Sequence, residues 1–193
     1  MGIAFDKLGL TQDSGMLLLI SCVAGSLVNL PLFQMRTIAS QPPSTSDPLA
    51  WLRPRQTGVA ERTVVAINMG GAILPTAFCA YLFVQQPVPL FGTIIAIAGQ
   101  TAVCYQFSRP IPGIGIGMPV LLAPVTAAVL AVVFGGEHSA PVAYIAGTLG
   151  VLLGADLLRI RDIRTLGVPQ ASIGGAGTFD GVFITGIVAV LLA

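Results

Sequence analysis

Six apolar stretches of 16 to 22 residues, Ser14–Phe33, Thr63–Val84, Leu90–Phe107, Pro119–Phe134, Pro141–Leu158 and Gly177–Ala193, contain between them only two charged side chains, Asp156 and Asp180. That feature fixes the solvent before anything else. A helix rises about 1.5 Å per residue and needs roughly 17 to 25 apolar residues to cross the hydrocarbon core of a bilayer. Each stretch therefore reads as a short membrane-spanning helix, with local thinning or continuation past the apolar edge absorbing the difference. The stretches lack the alternation of barrel strands, and unpaired backbone is costly in lipid. Only 9% of residues are charged, against about 25% in soluble domains. That is too few to cover a water-facing surface. The sequence predicts an all-α fold, a polytopic transmembrane helix bundle of about six short helices in a single domain over residues 1–193.

The polar connections set the orientation. Residues 35–62 hold Arg36, Arg53, Arg55 and Arg62 around the segment Gln41-Pro42-Pro43-Ser44-Thr45-Ser46, with Trp51 suited to a short interfacial piece. Residues 108–118 hold Arg109, and residues 159–176 hold Arg159, Arg161 and Arg164. The alternate connections, 85–89 and 135–140, hold no Lys or Arg, and Lys7 is the remaining basic residue. Threading the stretches alternately puts eight of nine basic residues on one face, which the positive-inside rule makes cytoplasmic. The expected topology is N-out and C-out in the cell membrane. Asp6 and Asp13 flank the first stretch where a cleavable signal would carry basic residues, so that stretch is read as a retained helix.

Other features bound the chemistry. A net charge of +1 gives no reason to expect nucleic acid; the bilayer is the partner that the composition demands. Cys22, Cys79 and Cys104 lie far apart inside apolar stretches, without the spacing of a disulfide framework or metal cluster, and no metal or cofactor is expected. His138, the single histidine, sits beside Glu137 in a turn. Gly147, Gly150 and Gly154 form a helical stripe suited to close packing, pointing roughly opposite to Asp156. Asn68 and Gln100 read as interhelical hydrogen-bonding groups, with a polar pathway as the alternative.

Two segments resist a helical reading. Asn29-Leu30-Pro31 ends or kinks the first helix, since proline removes a helical hydrogen bond. The run from Arg109 to Pro119 is apolar yet rich in Pro and Gly. An irregular or re-entrant segment near 109–119, shielded by protein, fits it, with Arg109 snorkelling to the headgroups. Gly113, Gly115 and Gly117 lack the strand–helix context of a phosphate loop.

Ionisable residues inside a membrane are functional candidates by default. Six of the eight acids, Asp6, Asp13, Asp47, Glu61, Glu137 and Asp162, fall in flanks or loops. Asp156, near the cytoplasmic end of the fifth stretch, and Asp180, near the cytoplasmic start of the sixth, come within about one helical turn of the same membrane face. Consecutive antiparallel helices are expected to be neighbours. Two carboxylates at one depth suit acid–base hydrolysis: one accepts a proton from water while the other, kept protonated, donates to a substrate carbonyl. A competing structural reading pairs Asp156 with Arg159 at i+3 and uses Asp180 to complement the dipole of its own helix, capped by Thr178.

Asp156-Leu157-Leu158 at the end of one stretch, and Gly177-Thr178-Phe179-Asp180-Gly181-Val182-Phe183 opening the next, resemble the catalytic segments of the presenilin and signal-peptide-peptidase class of intramembrane aspartyl proteases. That resemblance implies Asp156 and Asp180 as the catalytic pair and transmembrane peptides as substrates. The wider C-terminal sequence, from Gly154 through Arg159-Ile160-Arg161-Asp162 to Ser172-Ile173-Gly174-Gly175 and beyond, resembles a prokaryotic family of small membrane proteins described only as a domain of unknown function. Three functions stay open at this point: an aspartyl protease, a proton- or ion-coupled transporter or channel using the same acids, and a membrane scaffold whose aspartates pair with arginine.

Overall fold

A computed structural model describes residues 2–38, 61–111, 113, 115–175 and 181–193. Helix dominates. After a short α1 (Gly2–Lys7), six helices of 12 to 18 residues follow: α2 (Gln12–Gly25), α3 (Leu74–Gln85), α4 (Leu90–Phe107), α5 (Leu122–Gly135), α6 (Ser139–Val151) and α7 (Gly181–Leu192). The expected stretch Leu90–Phe107 coincides with α4. Thr11 caps α2 by accepting the Ser14 N–H at 3.2 Å.

The all-α expectation needs a correction, because the first two stretches are each part helix and part strand. Past Gly25 the chain leaves the helix and runs as β1 (Asn29–Arg36); β2 (Arg62–Asn68) precedes a π-helical turn, Met69–Ile73, and only then α3. The reason is local. Thr63-Val64-Val65-Ala66-Ile67 is rich in β-branched side chains, which pack well on a pleated surface. An apolar run does not by itself distinguish strand from helix. β1 pairs antiparallel with β2, from Asn29↔Asn68 to Arg36↔Arg62, and β2 pairs in parallel with β5 (Gln170–Ile173). The order β1-β2-β5 leaves Pro31 on an edge strand, where its missing N–H is tolerated.

The segment expected to be irregular is ordered too. Arg109–Ile111 (β3) and Gly115–Gly117 (β4) form an antiparallel hairpin. Gly113, at a left-handed φ of 77°, donates its N–H to the Leu166 carbonyl at 2.8 Å.

Two helical runs are long and apolar enough to cross a membrane, Leu90–Phe107 and Leu122–Leu157. The second is a hairpin: Gly136, at φ 57°, ends α5, and the turn Gly136–His138 reverses the chain into α6. α6 is the axis of the fold, with eleven of its 13 residues buried. Its glycines let the neighbours approach at backbone distance. A Cβ on Gly150 would overlap the Gln100 side chain, one on Gly154 would overlap the Thr101 carbonyl, and Gly147 faces Ala127 and Thr185. The expected packing stripe is therefore what joins α6 to α4, α5 and α7. Gln100 is buried and bridges two helices, donating to the Ala123 carbonyl (2.9 Å) and accepting from the Thr126 hydroxyl (2.8 Å).

The helices are apolar on the outside and small or polar within. On α4 the buried positions are Thr93, Ala96, Gln100 and Cys104, while Leu90, Phe91 and Ile94 are exposed. On α5, Ala123, Ala127, Ala131 and Gly135 face inward, and Val125, Val129, Val132 and Val133 face outward.

Close approach gives a test of this packing. A Cβ at Gly70 would overlap the Cys22 carbonyl oxygen, which is fixed backbone, whereas one at Gly99 meets only the flexible end of Leu130 at 3.3 Å. Gly70→Ala is expected to cost about 3 kcal/mol. Gly99→Ala is expected to be neutral or to gain up to about 1 kcal/mol from helix propensity. Thermal unfolding of the two variants beside the parent checks the contrast.

Candidate functional site

A cavity of about 660 Å³ lies where the sheet meets the helices. One wall is β4 and the start of α5, through Ile116, Met118, Leu121 and Pro124; a second is the end of α6, through Val151, Ala155 and Asp156. A third is β5 with the two glycines after it, residues 170–175, and the fourth is α7 through Val182, Thr185 and Val188. The lining is mainly aliphatic. Among the polar groups on its walls are Asp156, Asn29 and Ser172, joined through the β5 end: Ser172 bonds Asn29, and Gly174 bonds Asp156.

Asp156 sits in a π-helical turn, Leu152–Leu157, into which α6 widens after Val151. The Leu158 N–H reaches back five residues to the Leu153 carbonyl at 2.9 Å. Such turns are rare and collect at functional sites. Within it, Gly154 presses against α4 while Asp156 looks into the cavity. Its Oδ2 accepts the Gly174 N–H at 2.7 Å. Gly174 has a φ of 79°, and a Cβ there would lie 2.7 Å from Ala72 Cβ. A side chain at that position would have neither the backbone conformation nor the room.

The corner is built by hydrogen bonds that converge from distant parts of the chain. Asn68 is buried at the end of β2, not inside a helix as expected. It donates to the Ser26 carbonyl (2.7 Å) and to Asn29 Oδ1 (3.0 Å), and it accepts from the Gly71 N–H (2.7 Å), capping the π turn. The Ser172 hydroxyl donates to Asn29 Oδ1 at 2.5 Å. One asparagine thus ties the end of α2, the strands β1 and β2 and the π turn together beside Gly175.

The sequence offered Arg159 as a partner for Asp156. Arg159 instead bridges to Asp162 at 3.1 Å, donates to the Tyr105 carbonyl (2.7 Å) and to Ser108 (3.2 Å), and stacks over the Tyr105 ring at 4.5 Å. Those contacts clamp the segment after α6 to the end of α4. Asp180, Thr178, Asp47, Arg53, Arg55 and Trp51 lie outside the described residues. Among the described residues, no three His, Cys, Asp or Glu side chains come together in a way that could hold a metal ion.

The sequence marks Asn29 only as the end of the first helix, and Ser172 and Gly174 only within the family resemblance; none of the three is given a place in a site. The signal for Gly174 was the glycine pair ending an apolar run, and its meaning depends on the Ala72 backbone arriving from a hundred residues away. The assembled corner can orient a carboxylate and hold it at the polar end of a largely apolar chamber.

No curated protein and no solved structure matches the chain. A family described as "Protein of unknown function (DUF1614)" matches residues 23–192. With all but the two ends of the chain covered, this protein belongs to that family.

Proposed function

We propose that the protein is a membrane-embedded aspartyl peptidase in which Asp156 and Asp180 form the catalytic pair. The observation that carries the proposal is Asp156 held by a backbone N–H on the wall of a cavity whose next wall is a strand edge. Support for the membrane comes from the inverted exterior. Val125, Val129, Val132 and Val133 on α5, with Leu90, Phe91 and Ile94 on α4, are exposed while alanines, threonine and glutamine are buried. In water such a surface would far exceed the apolar patches that monomers tolerate. In lipid, small residues between helices and large aliphatic ones outside are the expected arrangement. The positive-inside rule, applied to the basic connections, supports N- and C-termini outside with the cavity toward the cytoplasmic face.

Support for a peptide substrate comes from β5. In a parallel ladder, alternate residues turn both backbone groups toward the same neighbour. The Val64 N–H bonds the Pro169 carbonyl at 3.0 Å, and Val64 stands opposite Gln170. Ala171 and Ile173 therefore turn toward β2, and Gln170 and Ser172 turn their N–H and C=O groups the other way, the Ser172 carbonyl accepting the Gly175 N–H at 3.4 Å. An extended peptide can add to such an edge, and the aliphatic lining accepts the side chains of a transmembrane sequence. In the reaction, one carboxylate takes a proton from water as its oxygen attacks the peptide carbonyl carbon. The protonated carboxyl gives its proton to the carbonyl oxygen. Collapse of the tetrahedral diol breaks the C–N bond, and the amine leaves with a proton returned by the pair.

Two measurements test this reading. Asp156→Asn and Asp180→Asn are each expected to reduce cleavage of a membrane-spanning reporter by at least about a hundredfold, with the unfolding temperature little changed. Cleavage at the parent rate by either variant would remove the catalytic pair. For the bilayer, single cysteines are introduced after the native thiols are replaced by serine. Val129→Cys is expected to resist a membrane-impermeant maleimide in intact vesicles, while Lys7→Cys and Arg161→Cys react from opposite sides. Ready labelling at Val129 would place α5 in water and end the membrane assignment.

A further inference from the structure

At the end of the sheet away from the cavity corner, Arg36 and Arg62 are direct cross-strand partners of β1 and β2. Directly opposed residues of an antiparallel pair carry their Cβ atoms about 4.5 to 5.5 Å apart on one face, and like charges there are destabilising. Both side chains are exposed. A third arginine is brought to the same end by the backbone: the Ile38 N–H donates to the Arg164 carbonyl at 2.9 Å. Glu61 directly precedes Arg62, its carbonyl bonded to the Thr37 N–H, and Asp162 stands two residues before Arg164. Yet among the described residues the ion pair is Arg159 with Asp162, and Arg36, Arg62 and Arg164 stand in none. Beside this cluster Leu32, Phe33 and Ile38 are exposed, Ile38 at 68%.

We infer that Arg36, Arg62 and Arg164 form a binding site for a phosphate group, presented by an anionic lipid headgroup. A phosphate seated between the opposed guanidinium groups removes their repulsion and takes up their fixed planar donors, which match phosphate oxygens two at a time. The neighbouring aliphatic surface favours a lipid over free phosphate, because it gives the acyl chains something to cover. The inference rests on the membrane part of the reading above and not on the peptidase part. It therefore survives a failed cleavage assay.

The test uses the full chain in bilayer discs of phosphatidylcholine, with and without phosphatidylglycerol. Spin-labelled phosphatidylglycerol is expected to be immobilised preferentially over spin-labelled phosphatidylcholine. Arg36→Gln and Arg62→Gln should each lower that preference about fivefold at low salt, while Lys7→Gln leaves it unchanged. The sign of a second readout separates a site from a structural role. In pure phosphatidylcholine each substitution should raise the unfolding temperature or leave it unchanged, because repulsion is relieved; with phosphatidylglycerol it should lower it. Equal immobilisation of the two lipids, an undiminished preference in the double variant, or destabilisation in both bilayers would overturn the site. Stabilisation of the parent by inorganic phosphate in pure phosphatidylcholine, as large as that given by phosphatidylglycerol, would overturn the lipid as its source.

Discussion

The close approach of α4 to α6 is the contact on which the rest depends. Gly150 and Gly154 remove the side chains that would hold the two helices apart, so Gln100 and the Thr101 carbonyl come directly against the α6 backbone. In a bilayer no hydrophobic force draws helices together, and packing distance and buried hydrogen bonds must do the work. The Gln100 bridges to Ala123 and Thr126 add α5 to the same assembly. With α6 enclosed in this way, the carboxylate reaches the cavity only past its end, where the π turn carries Asp156 to the wall.

That link explains why the candidate site lies where it does. On a regular helix, residues two apart point roughly 200° away from each other, so fixing Gly154 against α4 turns residue 156 toward the opposite side. The π turn adds a residue to the ring and widens the helix just there. It is accommodated because Arg159, clamped to Asp162, Ser108 and the Tyr105 carbonyl, anchors the chain immediately afterwards. The strand β5 then returns the chain alongside β2, and Gly174 turns its N–H to the carboxylate. Helix packing, sheet pairing and the orientation of one acid are a single coupled arrangement.

Much of the helical part was legible because hydropathy and length act locally. α4, α5 and α6 fall where the apolar stretches predicted, and the glycine stripe on α6 packs as its spacing implied. Gln100 does what a buried amide in an apolar helix should. The strands were not legible. Asn29–Phe33 and Thr63–Asn68 were absorbed into apolar stretches, because hydropathy sums ignore whether side chains are β-branched, and because the pairing partner of β2 lies partly in β5, about a hundred residues later. The Pro/Gly segment at 109–119 was recognised as non-helical but not as a hairpin, since its register is set by Gly113 meeting Leu166. Asp156 was chosen from the rule that charge in an apolar stretch needs a reason. Its backbone partner Gly174, two residues past the Ser172 that bonds Asn29, is tertiary.

The two ends of the small sheet divide the polar work of the molecule. At one end, Asn68, Asn29 and Ser172 are satisfied by one another and by backbone groups, and the Asp156 carboxylate accepts the Gly174 N–H. At the other end, Arg36 and Arg62 are paired across the strands, and among the described residues neither stands in an ion pair. A sheet of this size has few side chains to spare, and like-charged partners placed directly opposite weaken the strand pairing they belong to. A strongly anionic environment offsets that cost, and under the proposed lipid site the headgroup layer would supply it to β1 and β2. Because β2 continues from Arg62 to Asn68, a strand held there by its arginines would also set the depth of the corner in which Asp156 sits.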